Sequence, residues 1–378
     1  MFKFLGGTFL MIGSMVGGGV FAIPIVSAEF GFLTTFCFVL LSWAIMTKTG
    51  LFVLELSLSC PEKYNSYYSI VGKFLGNKIQ AITIVLFLWL LYFSLSSYIS
   101  GCVSVLMSHI GHISPFFTYV NLSLAYVLIF GTLIVISAKI IVRLNVILVI
   151  LKLGLFGAAI TLAYHFYSPF NAGNVTLLRR EAFSLVLIII NAFGFQFIVP
   201  SLVSYYGREN RIIFKRMLIT STTIVLFLYL AWLYTIYSII SMVGSHGLIS
   251  IYHSKNQLLA FNTSLFFHLN SGWIMHLLSL FEAIALFGSF LCVALGVFDF
   301  LVDVFKAHNR AIIGVVTFLP PLLLTLFSQN MYVYAMSAAG YIAVVLEIII
   351  PTWAITRLTR PVIKQNLKSR PAANKIMG

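Results

Sequence analysis

Gly13-Ser14-Met15-Val16-Gly17-Gly18-Gly19-Val20-Phe21-Ala22-Ile23-Pro24 lies inside an apolar run covering about residues 4–27. The run is long enough to cross a bilayer core of about 30 Å. Four glycines and a proline are costly in a helix, because glycine loses backbone entropy and proline removes a hydrogen bond. The stretch therefore reads as a membrane span interrupted near its middle. A second stretch has the same pattern: Asn191-Ala192-Phe193-Gly194-Phe195-Gln196-Phe197-Ile198-Val199-Pro200, again with a glycine shortly before a proline. Unpaired backbone at that depth is tolerable only where it lines a protein cavity. The alternative is that the glycines let helices pack closely and the prolines only kink them.

Composition selects lipid as the solvent. Of the 378 residues, 61% are hydrophobic and 8% charged, and the mean hydropathy is +1.04. A water-soluble fold of this length needs a charged skin that these residues do not supply. The net charge of +14 would point to nucleic acid in a soluble protein, but in a membrane protein it reports orientation, and no nucleic-acid partner is expected. Cys37, Cys60, Cys102 and Cys292 form no CxxC pair, so neither a metal site nor a disulfide framework is expected, and no cofactor is implied. The start, Met1-Phe2-Lys3 followed by a run ending in Val26-Ser27-Ala28, reads as a span rather than a cleavable leader. The glycines and Pro24 break it, and many further apolar runs follow.

Runs long enough to span occur at about 4–27, 31–57, 79–108, 117–137, 143–166, 182–205, 214–242, 272–302, 311–328 and 331–354. A shorter amphipathic stretch near 255–268 is expected at the interface. Alternate connections carry Lys63, Lys73 and Lys78, then Lys139 and Arg143, then Arg208, Arg211, Lys215 and Arg216, then Lys306 and Arg310, and finally the basic tail. The opposite connections carry only Arg179, Arg180 and Lys255. Cytoplasmic loops hold the excess of Lys and Arg, so both termini are assigned to the cytoplasm.

The two interrupted spans are the first and sixth of ten, so each opens a block of five, and an odd number of crossings sets the blocks in opposite orientations. An all-α membrane protein with a 5+5 inverted repeat, about 3–166 and 181–354, is the expected fold. It forms one transmembrane domain over 1–357, followed by a basic cytoplasmic tail over 358–378. An amino-acid zwitterion suits such a cavity, with its carboxylate at exposed amides and its ammonium at carbonyls.

The stretch Gly13 to Pro24 resembles the opening signature of the hydroxy and aromatic amino acid permeases, the tyrosine- and tryptophan-specific carriers of bacteria within the amino acid–polyamine–organocation superfamily. Leu54-Glu55-Leu56, Phe193-Gly194-Phe195, Ile198-Val199-Pro200-Ser201-Leu202 and Leu319-Pro320-Pro321 match as well, and the resemblance runs from about residue 3 to 356. It implies a leucine-transporter-type fold, proton-coupled uptake and a location in the bacterial inner membrane. It also implies a role for Lys152, as the fifth-span lysine that stands beside the unwound first span where sodium-coupled relatives hold a sodium ion. Such permeases usually have eleven spans, whereas here the basic tail follows the tenth. That departure bears on oligomer contacts more than on the transport core.

Ionisable groups within spans are expensive and are functional candidates. Lys152 lies nine residues beyond Arg143, about 13 Å into the bilayer at 1.5 Å per residue, and the resemblance implies that it neutralises the carbonyls of Gly13 to Met15. Glu282, ten residues past Gly272, is the second coupling candidate. A structural role, bonded to backbone, is the alternative for both. Glu347 and Lys48 are read as closer to the cytoplasmic end, and Glu55, Asp299 and Asp303 as gate or surface groups. The expected substrate-binding residues are Ser14, Met15, Gly17, Gly18 and Gly19 in the first span, Tyr92 and Ser96 in the third, Phe193, Gly194, Phe195 and Gln196 in the sixth, and Phe281 in the eighth. Aromatic walls would stack on a tyrosine or tryptophan ring, with Gln196 as partner to its hydroxyl or indole N–H. The alternative for each phenylalanine is simple filling of helix contacts.

No HExxH spacing or GxxxxGK[ST] phosphate loop occurs, so an enzyme and an ATP-driven pump are disfavoured. The reading is proton symport of an aromatic amino acid by alternating access. Serine, threonine or another neutral amino acid as substrate, and a sensor or channel of the same fold, are the alternatives.

Overall fold

The computed structural model describes residues 2–61, 66–111, 113–136, 138–163, 182–209, 211–269, 272–305 and 309–358. Its elements are α1 (Phe2–Met15), α2 (Gly19–Ser27), α3 (Gly31–Ser59), α4 (Tyr67–Leu75), α5 (Asn77–Ile110), α6 (Tyr119–Ile136), α7 (Ala138–Ala163), α8 (Ala182–Ala192), α9 (Ile198–Tyr206), α10 (Arg211–Ile239), α11 (Leu248–Tyr252), α12 (Gln257–Leu269), α13 (Gly272–Phe305), α14 (Arg310–Phe327) and α15 (Met331–Ala343). After α15 the helix continues through a π-helical turn, Val344–Ile349, to Leu358. The basic tail from 359, the Arg179–Arg180 connection and the junction expected between the two repeats lie outside the described residues.

Among the described residues, six helices are long and apolar enough to cross a membrane, and the bent pair α1–α2 makes a seventh span. The runs expected at 117–137, 143–166 and 182–205 contain shorter apolar helical stretches, Tyr119–Val135, Ile147–Leu162 and Phe183–Ala192. The interruptions fall where the glycines lie. α1 and α2 meet at an angle of 43°, and the sixth span stops at Ala192 and resumes at Ile198. By contrast, α14 runs through Pro320 and Pro321 without a break.

Apolar side chains cover the outside of the bundle. Leu128 and Ile129 of α6, Phe227 of α10 and Leu323 of α14 are all exposed, as they must be where hydrocarbon replaces water. Small polar groups join helices inside. Ser96 and Thr325 hydroxyls lie 3.0 Å apart between α5 and α14, Thr47 donates to Thr222 at 3.1 Å, and Tyr119 donates to Ser100 at 2.8 Å. Hydroxyl pairs of this kind act as interhelical glue where water is absent. The stretch expected at the interface forms α12, which buries Leu258, Phe261 and Leu265 against the bundle. Two short elements were not anticipated, α11 and α4. α4 lies in a connection and starts at a capping box in which Ser66 and Ser69 satisfy each other's backbone amides.

α15 and α8 pack at their closest near Gly340, where an added Cβ would sit 2.4 Å from the Leu187 carbonyl oxygen. Backbone cannot give way as a flexible side chain can. Gly340→Val should therefore lower the thermal unfolding midpoint of detergent-purified protein, at an overpacking cost of about 1–3 kcal/mol. Gly154→Ala, with no atom within 4 Å of the added carbon, should leave that midpoint in place.

Candidate functional site

At the first break, α1 ends at Met15 and α2 begins at Gly19. Side chains from three other helices bond to carbonyls here, although Gly18 O also accepts from Phe21 and Ala22 N–H and Ser14 O accepts no hydrogen bond among the described residues. The Lys152 ammonium of α7 donates to Gly13 O at 2.7 Å and Val16 O at 2.5 Å. The Tyr229 hydroxyl of α10 reaches Met15 O at 2.7 Å, and the Tyr332 hydroxyl of α15 donates to Gly18 O. The amides are treated differently. Val16 N–H bonds to Ile12 O at 2.8 Å, but the N–H groups of Gly17, Gly18 and Gly19 find no acceptor among the described residues. These three amides stand at the positive, N-terminal end of the α2 dipole.

At the second break, α8 ends at Ala192 and α9 begins at Ile198. The Ala192 carbonyl accepts from the same Tyr229 hydroxyl at 3.0 Å. Phe195 N–H donates to Gln196 Oε1 at 2.9 Å, and Gln196 Nε2 donates to Thr49 Oγ1 at 3.2 Å. The Phe193 and Gly194 carbonyls accept no hydrogen bond among the described residues. The breaks touch each other. An added Cβ on Gly19 would lie 2.3 Å from the Ala192 Cβ, so only glycine fits there.

A cavity of about 800 Å³ adjoins both breaks. Of the residues expected at the site, Ser14, Met15, Gly19, Gly194, Phe195 and Lys152 line it. Gly17 and Gly18 sit just behind, facing Tyr98 and Ser289. The other expected residues are turned elsewhere. Tyr92 donates to Val316 O at 2.7 Å, Ser96 pairs with Thr325, and Phe193 packs on Tyr229 with centroids 5.1 Å apart. Gln196 spends its amide on α3 and its own loop, and Phe281 joins an aromatic cluster described below. Glu282 is buried outside the cavity wall, its Oε1 without a hydrogen-bond partner among the described residues. Lys152 meets Gly13 and Val16, while Met15 goes to Tyr229.

Several contributors escaped the sequence reading. Tyr98, Asn191, Ser289 and Glu347 also line the cavity, and Tyr229 and Tyr332 satisfy the breaks. Tyrosine is common in membrane chains, so no single one of them stands out by type. Glu347 had a visible signal, a lone carboxyl in an apolar span, but its position near one end of that span drew it away from the site.

The cavity runs from the breaks toward the end at which α1 begins, where Gly6, Phe9, Phe87, Tyr206 and Gly296 line it. Beyond the breaks, on the α2 side, Phe21, Phe156, Trp232 and Phe281 form a buried layer with neighbouring ring centroids 4.9–6.0 Å apart. These rings come from α2, α7, α10 and α13. The site is thus open to one side of the bundle and sealed on the other.

A multi-pass helical bundle whose two interrupted helices meet beside a cavity open to one side defines a membrane carrier rather than an enzyme. The chain belongs to the tryptophan/tyrosine permease family, whose model matches residues 1–377, a family of amino-acid transport permeases. It is 26% identical over 371 residues to the tyrosine-specific transport system 1 of Haemophilus influenzae, covering 95% of this chain and 89% of that one. It is 27% identical over 366 residues to the low affinity tryptophan permease of Escherichia coli K12, covering 91% and 85%. It is also 27% identical over 360 residues to the glutamine transporter 2 of Aliivibrio fischeri, covering 95% and 90%.

Lys152→Met removes the donor shared by Gly13 O and Val16 O, and Tyr229→Phe removes the hydroxyl that serves Met15 O and Ala192 O. A buried carbonyl left without a donor costs about 1–3 kcal/mol. Both variants should therefore unfold at lower temperature in detergent, with Lys152→Met the more affected because the two bonds it loses are charge-assisted. An unchanged midpoint in both would mean that the carbonyls find other partners.

Proposed function

We propose that this protein is a secondary active transporter that carries tyrosine or tryptophan together with a proton across the bacterial cytoplasmic membrane. One observation supports the reading: the first break offers an unbonded donor at Gly19 and the second an unbonded acceptor at Gly194, both on the wall of one cavity. The amides of Gly17, Gly18 and Gly19 suit a carboxylate, and the carbonyls of Phe193 and Gly194 suit an ammonium. An α-amino acid zwitterion brings both groups. Its side chain would lie along Ser14, Met15, Tyr98 and Phe195, with Tyr92, Ser96, Phe193, Gln196 and Phe281 holding the surrounding helices.

The ten-span, 5+5 inverted-repeat architecture, with α1–α2 and α8–α9 as corresponding members, is the frame we infer for alternating access. With both termini in the cytoplasm, the cavity faces inward and the aromatic layer closes the outward path. Lys152 stands at the first break in the position of a fixed cation, which favours a proton over sodium as the coupling ion. Glu282 is a second buried group available for coupling. The named relatives transport tyrosine, tryptophan and, in one case, glutamine, so glutamine is the competing substrate. The polar Asn191 and Ser289 on the cavity wall are compatible with it.

Reconstitution into proteoliposomes tests the proposal. Labelled tyrosine or tryptophan should accumulate when the outside is acidic and should not respond to an imposed sodium gradient. Accumulation of glutamine in preference to both would overturn the aromatic assignment, and sodium-driven uptake would overturn the proton.

A further inference from the structure

Glu347 lies in the π-helical turn Val344–Ile349 and is 2% exposed. Its carboxyl fills the space that any side chain on Gly194 would need, since an added Cβ would stand 2.9 Å from Oε1 and 3.2 Å from Oε2. The group thus rests directly on the second break, and it lines the same cavity as Ser14 and Lys152. Its Oε2 is buried and has no hydrogen-bond partner among the described residues. No cationic side chain lies within ion-pair distance of it there.

The neighbouring elements offer no counter-charge. α8 carries no titratable side chain. Tyr67 of α4 is close, but its hydroxyl donates to Leu346 O. On α3, Lys48 is exposed and Glu55 is paired with Arg211 and Lys215. On α5, Lys78 is exposed and Tyr98 is the titratable group that shares the cavity. A carboxylate buried without a cation is strongly disfavoured, so such a group carries a proton until water reaches it. π-turns, which widen a helix locally, are found at functional sites more than elsewhere.

Resting on the proton-symport reading above, we propose that Glu347 is the residue that carries the coupling proton and releases it into the cavity. The O–H bond of its carboxylic acid breaks, a water molecule in the cavity takes the proton as hydronium, and the carboxylate remains. When the site faces the other side of the membrane, that carboxylate takes a proton from water there. Because the carboxyl abuts Gly194, its charge state acts directly on the second break. Of the three Lys and Glu side chains buried near the breaks, it is the one with an unengaged oxygen on the cavity wall: Lys152 is held by two carbonyls, and Glu282 lies outside.

The test compares wild type, Glu347→Gln and Glu347→Asp in proteoliposomes. Two assays are run, exchange of labelled substrate across equal pH and accumulation driven by a pH gradient, with proton entry followed by an internal pH dye. Glu347→Gln is expected to go on exchanging substrate but to lose gradient-driven accumulation and substrate-dependent proton entry. Glu347→Asp is expected to retain both. Accumulation by Glu347→Gln at the wild-type level would overturn the proposal. So would loss of substrate binding in that variant with normal folding by size exclusion, which would place the carboxyl on the substrate ammonium. A wild type that exchanges but ignores the pH gradient would reject proton symport itself, and with it this role for Glu347.

Discussion

Everything in this bundle is organised around backbone groups that lose their helical partners in the middle of a membrane. An unsatisfied carbonyl in hydrocarbon has no water to turn to, so those freed at the first break must be met by protein or face the cavity, as that of Ser14 does. Lys152, Tyr229 and Tyr332 meet them from α7, α10 and α15. These three helices are thereby tied to one short stretch of chain. The bundle does not merely tolerate the break but is fastened at it. The cation does more than a hydroxyl would, since one ammonium serves two carbonyls through charge-assisted bonds.

The same physics gives the site its polarity. At the first break the Gly13, Met15 and Val16 carbonyls are taken by side chains while the Gly17, Gly18 and Gly19 amides are not, and at the second break the Phe193 and Gly194 carbonyls are left. The arrangement is asymmetric in the sense that a zwitterion needs. On the α2 side, four rings from four helices exclude water without any polar contact between them. Such a layer is held by area and dispersion alone. It can part without breaking a hydrogen bond when the helices that carry it move, since the buried Trp232 indole N–H has no partner among the described residues.

The breaks, the lipid-facing exterior and the lysine beside the first span were all legible in the sequence, because glycine, proline and an isolated charge each have one dominant physical consequence in an apolar run. The roles of individual aromatic residues were not. Phe281 and Phe193 look like pocket walls by type and span, yet they pack on Trp232 and Tyr229, since which face of a helix meets a cavity depends on its rotation. Gln196 was expected to meet substrate, but it serves Thr49 and its own loop, as a freed amide next to it must bond somewhere. Glu347 stood in plain view as a carboxyl in an apolar helix. What placed it at the site was a π-turn, and no residue type announces that.

Tyr229 shows how two breaks can be both coupled and mobile. Its hydroxyl lies 2.7 Å from Met15 O and 3.0 Å from Ala192 O, the last helical carbonyls region of each half-span. It has one proton, so the two bonds share it and neither is at full strength. If the breaks separate, the proton settles on one carbonyl and the other becomes free. The loss is then a fraction of a single net hydrogen bond, itself worth about 0.5–1.5 kcal/mol. Lys152, by contrast, holds Gly13 and Val16 within one half-span pair and need not let go of either. Relative motion of the two broken helices would therefore be opposed chiefly by the contact of Gly19 with Ala192, where apolar surfaces can slide past one another, and hardly at all by the polar bonds that hold each break together.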